Sequence, residues 1–236
     1  MPAVEWSVII ILATLLPFDV QAETFPADSA DRAAIVLARY TAGVTKVKPW
    51  SQETIEIEAS LPSLEKHGRL RAIRRLLPFG KPEYHVLETV GDQTVRQEVI
   101  YRYLSADAQS VAVPTSSVAI TPANYKFRYK GAVKITGDIA YSFVITPHKK
   151  RSGLIKGELW LDGETGAAVR QSGYLVKNPS IFIRRITVTR ETTIRDGLPK
   201  ERITHLLVDT RIVGRAELTI HERPCSDCGG VADAGQ

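Results

Sequence analysis

The last third of the chain alternates apolar and polar residues with little interruption. Ile181 to Thr193, Glu201 to Asp209 and Arg211 to Glu222 change character at every second residue, and Asp196-Gly197 with Pro199 separates the first two. Period two is the rhythm of a strand whose successive side chains point to opposite faces of a sheet. It recurs upstream in Thr54 to Ala59, Leu70 to Leu76 and Tyr84 to Thr89. Thr94 to Leu104 follows after a Gly91-Asp92 turn, then residues 124–130 and 139–146, and a pair at 154–162 and 167–175 joined by Asp162-Gly163-Glu164-Thr165-Gly166. Leu70 to Leu76 fits a strand better than an amphipathic helix, and Thr94 to Leu104 is expected to turn helical near Tyr101. Gly214 is expected to bend or bulge the last strand.

Asp28-Ser29-Ala30-Asp31 leads into an alanine-rich apolar spacing that stops at Gly43, which describes one short capped helix with Ile35, Val36, Leu37 and Tyr40 on its covering face. No alternation of strands with helices follows. The expected fold is therefore mainly β: a curved antiparallel sheet or unclosed β-barrel, one N-terminal helix and one further short helix. Such a sheet ordinarily turns one face to a core and the other to water. Leu206-Leu207-Val208 and Ile181-Phe182-Ile183 put apolar side chains on both, which fits contact with loops and equally fits a part-open barrel enclosing an apolar cavity.

At the start, Val8 to Leu16 is an apolar run followed by Pro17 and Val20-Gln21-Ala22, the pattern of a secretory leader cut after Ala22, although Glu5 and no Lys or Arg precedes it. The expected organisation is a signal peptide at 1–22, a single domain at 23–222 and a Cys-containing polar tail at 223–236. Loss of Glu5 and Asp19 raises the net charge of +5 by two, which favours anionic lipid, envelope polymers or acidic partners. The two cysteines, Cys225 and Cys228, are followed by Gly229-Gly230 rather than by a helix that would activate a thiolate. A local disulfide is preferred; free or intermolecular thiols and, far behind, zinc or redox chemistry are the alternatives.

Two basic groups stand out. His148, Lys149, Lys150 and Arg151, with Lys156 and Trp160 beyond them, form a candidate contact for anionic lipid or a partner, against the plainer reading of a solvated loop. Arg69, Arg71, Arg74 and Arg75 form a second patch, but on a strand Arg74 takes the face opposite the other three. Neither a nucleophile elbow, a zincin helix nor a phosphate-cradling glycine loop is present, and the five histidines lack metal-ligand spacing. No enzyme, metal or cofactor is expected. Tyr125, Phe127 and Tyr129 alternate with Lys126, Arg128 and Lys130, so the aromatic and cationic faces are separate; nucleic acid is not the expected partner.

Val86 to Val95 with Val99-Ile100-Tyr101-Arg102-Tyr103-Leu104, the segment Lys149 to Asp162, and Val176-Lys177-Asn178-Pro179-Ser180 resemble exported bacterial proteins related to the outer-membrane lipoprotein-sorting and carrier proteins (LolA/LolB-like). The resemblance covers most of residues 50–222. It implies an unclosed antiparallel barrel capped by helices, a periplasmic location, and a cargo of lipid acyl chains or a lipoprotein held on an apolar concave face. The alternative is an envelope interaction or structural protein whose sheet holds no cargo.

Overall fold

The computed structural model describes residues 28–44, 49–77, 80–110, 113–135, 138–195, 197–211, 214–225 and 228 of the chain. The leader read at 1–22 lies outside them. Ten strands form one sheet: β1 Gln52–Leu61, β2 Lys66–Leu76, β3 Pro82–Gly91, β4 Tyr125–Ile135, β5 Asp138–Pro147, β6 Ile155–Asp162, β7 Ala168–Leu175, β8 Ile183–Arg195, β9 Leu198–Thr210 and β10 Arg215–Pro224. All neighbours are antiparallel in the order β3-β2-β1-β10-β9-β8-β7-β6-β5-β4. β3 and β4 are the two free edges, so the sheet is unclosed.

Helix α1, Asp28–Gly43, presents Ala33, Val36 and Tyr40 at helical spacing to one half of this sheet. Thr94 to Leu104, read above as a strand turning helical near its end, is helical throughout. Gln93–Val95 passes through a π-helical turn, Arg96–Ile100, into Tyr101–Ser110, and this whole run is α2. The Asp92 carboxylate caps it by accepting from the Thr94 and Val95 amides. Val95, Val99, Ile100 and Leu104 then fall on one buried face. The β-rich composition misleads here because spacing, not residue type, decides which surface is buried.

Two further expectations are corrected. Ile181 and Phe182 lie in the turn before β8 rather than in the strand, and Gly214 belongs to the β9–β10 turn, where the Thr210 amide donates to its carbonyl. Gly214 has φ +79°, a left-handed conformation that suits glycine in a turn rather than a bulge within a strand.

Register shows how the core divides. One row crosses the concave face from edge to edge: Tyr129, Phe143, Leu159, Gln171, Arg190, Thr204, Ile220, Ile57, Leu70 and Thr89. It is mostly apolar toward both ends and polar in the middle. One end belongs to a core cluster under α1, with Tyr125, Ile145 and Leu161; the other belongs to a cluster under α2, with Ile55, Leu61 and Leu218. Both helices therefore cover the same face, on opposite halves. The chain between β3 and β4 passes from one edge of the sheet to the other.

Candidate functional site

Between the two clusters lies a stretch of sheet that is only partly buried, with Leu206 and Val208 packed against the cluster under α2. Of all the residues in β7, β8 and β9, only Val188 and Thr204 are buried. Arg190, in the middle of the cross-sheet row, is solvent-exposed although it points to the same face as the core. Its Nε donates to Thr204 Oγ1 at 3.3 Å. Surrounding protein and the like charge of Arg202 push its guanidinium below the ordinary arginine value. Water reaches the side chain, so desolvation is incomplete and repulsion by Arg202 is the firmer cause. Arginine stays protonated in proteins, so Arg190 is a cation on this face, repelled by Arg202 and attracted by Glu222 and Asp107.

The floor around Arg190 is graded. Toward the end where β7 finishes and β8 begins, it consists of Gly173, Val188 and Leu206, then Leu175, Ile186 and Val208. Toward the other end come Thr192 and Arg202, with Arg202 held by Glu222 at 3.5 Å and stacked over Trp50 at 4.9 Å. Tyr103 hangs from α2 near this polar end, its hydroxyl pKa raised by burial and by Glu222. The apolar end carries the Gly157 and Gly173 pair on adjacent strands. A Cβ on Gly157 would overlap the Ser172 carbonyl and come within 2.5 Å of the Gly173 Cα. At one end of the sheet a cleft of 1490 Å³ opens beside α1, bounded by Ile35 and Arg39 of the helix, Ile139 of β5 and Thr192 to Ile194 of β8, and it reaches round to Trp160 and Arg170 of the other face.

The polar end continues into an ion cluster that sequence reasoning missed. Arg74 points inward and contacts Glu53 at 2.6 Å and Asp107 at 3.2 Å, while the Tyr84 hydroxyl also donates to Asp107. Burial, and then Glu222, pushes Glu53 above its ordinary value against the pull of Arg74. Burial works to lower Arg74, but Asp107 and then Tyr84 and Glu53 hold it up. Arg74 thus holds both carboxyl groups, and Asp107 remains its partner when Glu53 is protonated. The only sequence signal was parity, which set Arg74 apart from its neighbours.

The expected basic groups are dispersed. Arg69 pairs with Glu56, and Arg71 lies 3.6 Å from Glu88; Arg75 is exposed. His148 Nε2 lies 3.0 Å from the Pro122 carbonyl, and Arg151 donates to the Ser117 carbonyl and to Asn124 Oδ1. Those two side chains tie down the 113–124 segment, leaving Lys149 and Lys150 exposed at the sheet end. Lys156 and Trp160 fall on the opposite, convex face; the Trp160 indole donates to Glu158 and lies under Arg170 at 5.0 Å. Cys225 and Cys228 are joined by a disulfide whose loop is fastened to Gln52. Among the described residues no group of three or more His, Cys, Asp or Glu is placed to hold a metal.

No family model and no curated relative matches the chain. Among solved structures it is similar to a LolA superfamily protein from Nitrosomonas europaea, with 10% identity over 80% of this chain and 90% of that one, at a TM-score of 0.37. It is also similar to a DUF1329 family protein from Desulfovibrio piger, with 10% identity over 86% of this chain and 96% of that one, at a TM-score of 0.41. Both scores lie below 0.5, so the functional reading rests on this chain's own residues. The partly exposed, graded floor of β7 to β9 is the feature that distinguishes its concave face from a filled core.

Proposed function

We propose that the chain is a non-enzymatic lipid-binding or carrier protein of the bacterial envelope, delivered to the periplasm by a leader at residues 1–22. Its cargo is an amphiphile with an acyl chain, free or attached to a lipoprotein. The observation that carries this reading is the partly exposed floor between the two helix-capped clusters. An acyl chain fits along the partly exposed Leu175, Ile186 and Leu206 beside the buried Val188, and an anionic head group fits near Arg190, which can supply charge-assisted hydrogen bonds. Binding sites for amphiphiles combine an extended apolar wall with a few placed polar groups, and this gradient has that form.

A second reading, an envelope interaction protein without cargo, is favoured by the two filled clusters, which hold the sheet without any ligand. Mass spectrometry of protein purified gently from its own envelope, intact under native conditions and again after organic extraction, separates the two. A stoichiometric lipid or acylated adduct, lost when Leu175 and Ile186 are both replaced by Ser, is the expected result. Cargo-free protein that also takes up no lipid from offered vesicles would leave the interaction reading standing.

A further inference from the structure

Every connection at the end of the sheet where β5, β7 and β9 finish belongs to one rim, because the strands from β4 to β10 run up and down in sequence. On this rim the β7–β8 connection pushes two large apolar side chains into solvent: Ile181 is 79% exposed and Phe182 55%. The tip is held in that posture rather than left loose. Asn178 Nδ2 donates to the carbonyls of Ile183 and Arg184, at 3.0 and 2.8 Å. Arg211 grips the tip from the β9–β10 turn, its Nε donating to the Ile181 carbonyl and its amide to the Phe182 carbonyl, both at 2.9 Å. Backbone bonds satisfied in this way fix an apolar apex without burying it.

Cations outnumber acids around the apex, where the β9–β10 side contributes Asp209, itself paired with Arg215 at 2.9 Å. Lys177 and Arg184 flank it in sequence, Arg211 lies beneath it, and Lys149 and Lys150 occupy the adjacent β5–β6 connection, which joins the β7 end through the Val176 amide and the Leu154 carbonyl. No Asp or Glu occurs from residue 147 to 157 or from 175 to 190. An apolar pair at the apex of a basic rim is complementary to a bilayer surface, with apolar groups entering the acyl boundary and cations at the phosphates. A protein partner would ordinarily present a groove to Ile181 and Phe182, but the wide basic surround asks for an extended negative surface. We infer that this rim docks onto an anionic lipid bilayer, with Ile181 and Phe182 inserted and Lys149, Lys150, Lys177 and Arg184 facing phosphate groups. Docking does not depend on the cargo reading, since a protein with an empty floor would still bind the surface.

The test is co-sedimentation of envelope-purified protein, its N-terminus defined by mass, with vesicles of phosphatidylcholine alone and of phosphatidylcholine with phosphatidylglycerol. Binding is expected to the anionic vesicles and to weaken with salt. Replacing Ile181 and Phe182 by Ser should reduce partitioning about tenfold or more, from the loss of two buried apolar side chains. Changing Lys149, Lys150 and Lys177 to Gln should cost roughly fivefold for each charge. Leu198, 59% exposed on the opposite rim, provides the control, and Leu198→Ser should leave binding unchanged. All variants are surface changes whose fold is checked by thermal melting. The inference is overturned if the protein stays in the supernatant with anionic vesicles, or if Leu198→Ser weakens binding as much as the apex variant. It is overturned too if light scattering reveals a dimer dissolved by the apex variant and no vesicle binding occurs, which would make a second copy the occupant.

Discussion

At Glu53 two demands oppose one another: burial at 2% exposure favours the protonated carboxyl, while Arg74 at 2.6 Å favours the carboxylate. Burial prevails, and the folded state holds this proton more tightly than the unfolded chain, whose ordinary value is 4.5. The contribution to stability is accordingly full below that value and is lost as pH rises through the folded pKa. Glu53→Gln imitates the protonated form and should raise the melting temperature at neutral pH, with the two proteins converging in acid below 4.5. A variant less stable than the wild type at neutral pH would show instead that the Arg74 pairing dominates. The sequence carried half of this arrangement: strand parity separated Arg74 from Arg69, Arg71 and Arg75. It could not reveal Asp107, which lies 33 residues away on a segment whose helical nature was only partly visible.

At the scale of elements, α2 and the β6–β7 pair show why some local structure was legible and some was not. Alternation identified most strands because half-buried antiparallel strands must alternate. In Thr94 to Leu104 the β-branched and aromatic residues gave one signal and the spacing of Val95, Val99, Ile100 and Leu104 gave another; burial against β1, β2 and β10 decided for the helix. Gly157 interrupts the side chains of β6 between Lys156 and Glu158. The backbone of its neighbour β7 approaches it closely at Ser172 and Gly173. Gly157→Val should therefore separate β6 from β7 at the apolar end of the floor and destabilise the protein by about 3 kcal/mol, because backbone atoms cannot move aside as a flexible side chain can. Urea unfolding gives the magnitude, and an unchanged midpoint would mean that the two strands have room to part.

Over the whole molecule, the number of strands was written in the alternation but their order was not. β1 pairs with β10 across most of the chain, and that long-range pairing makes two local meanders into one sheet. The free β4 edge carries Lys126, Arg128, Lys130 and Lys134, charges that discourage further strand addition. Because α1 and α2 settle on opposite halves of the concave face, its centre stays only partly covered, a consequence of topology invisible to any single segment. The gradient across that centre makes a discriminating prediction. Arg190 should contribute to binding only when the cargo has an anionic head, whereas the apolar floor should contribute to every acyl chain. Arg190→Met is expected to weaken binding of a long-chain fatty acid by about tenfold or more, the scale of a lost charge-assisted hydrogen bond, while a neutral monoacylglycerol of equal chain length keeps its affinity. Competition against a fluorescent fatty acid measures both. Equal losses for the two ligands would place Arg190 in the architecture of the floor, and no loss for either would put the head group elsewhere.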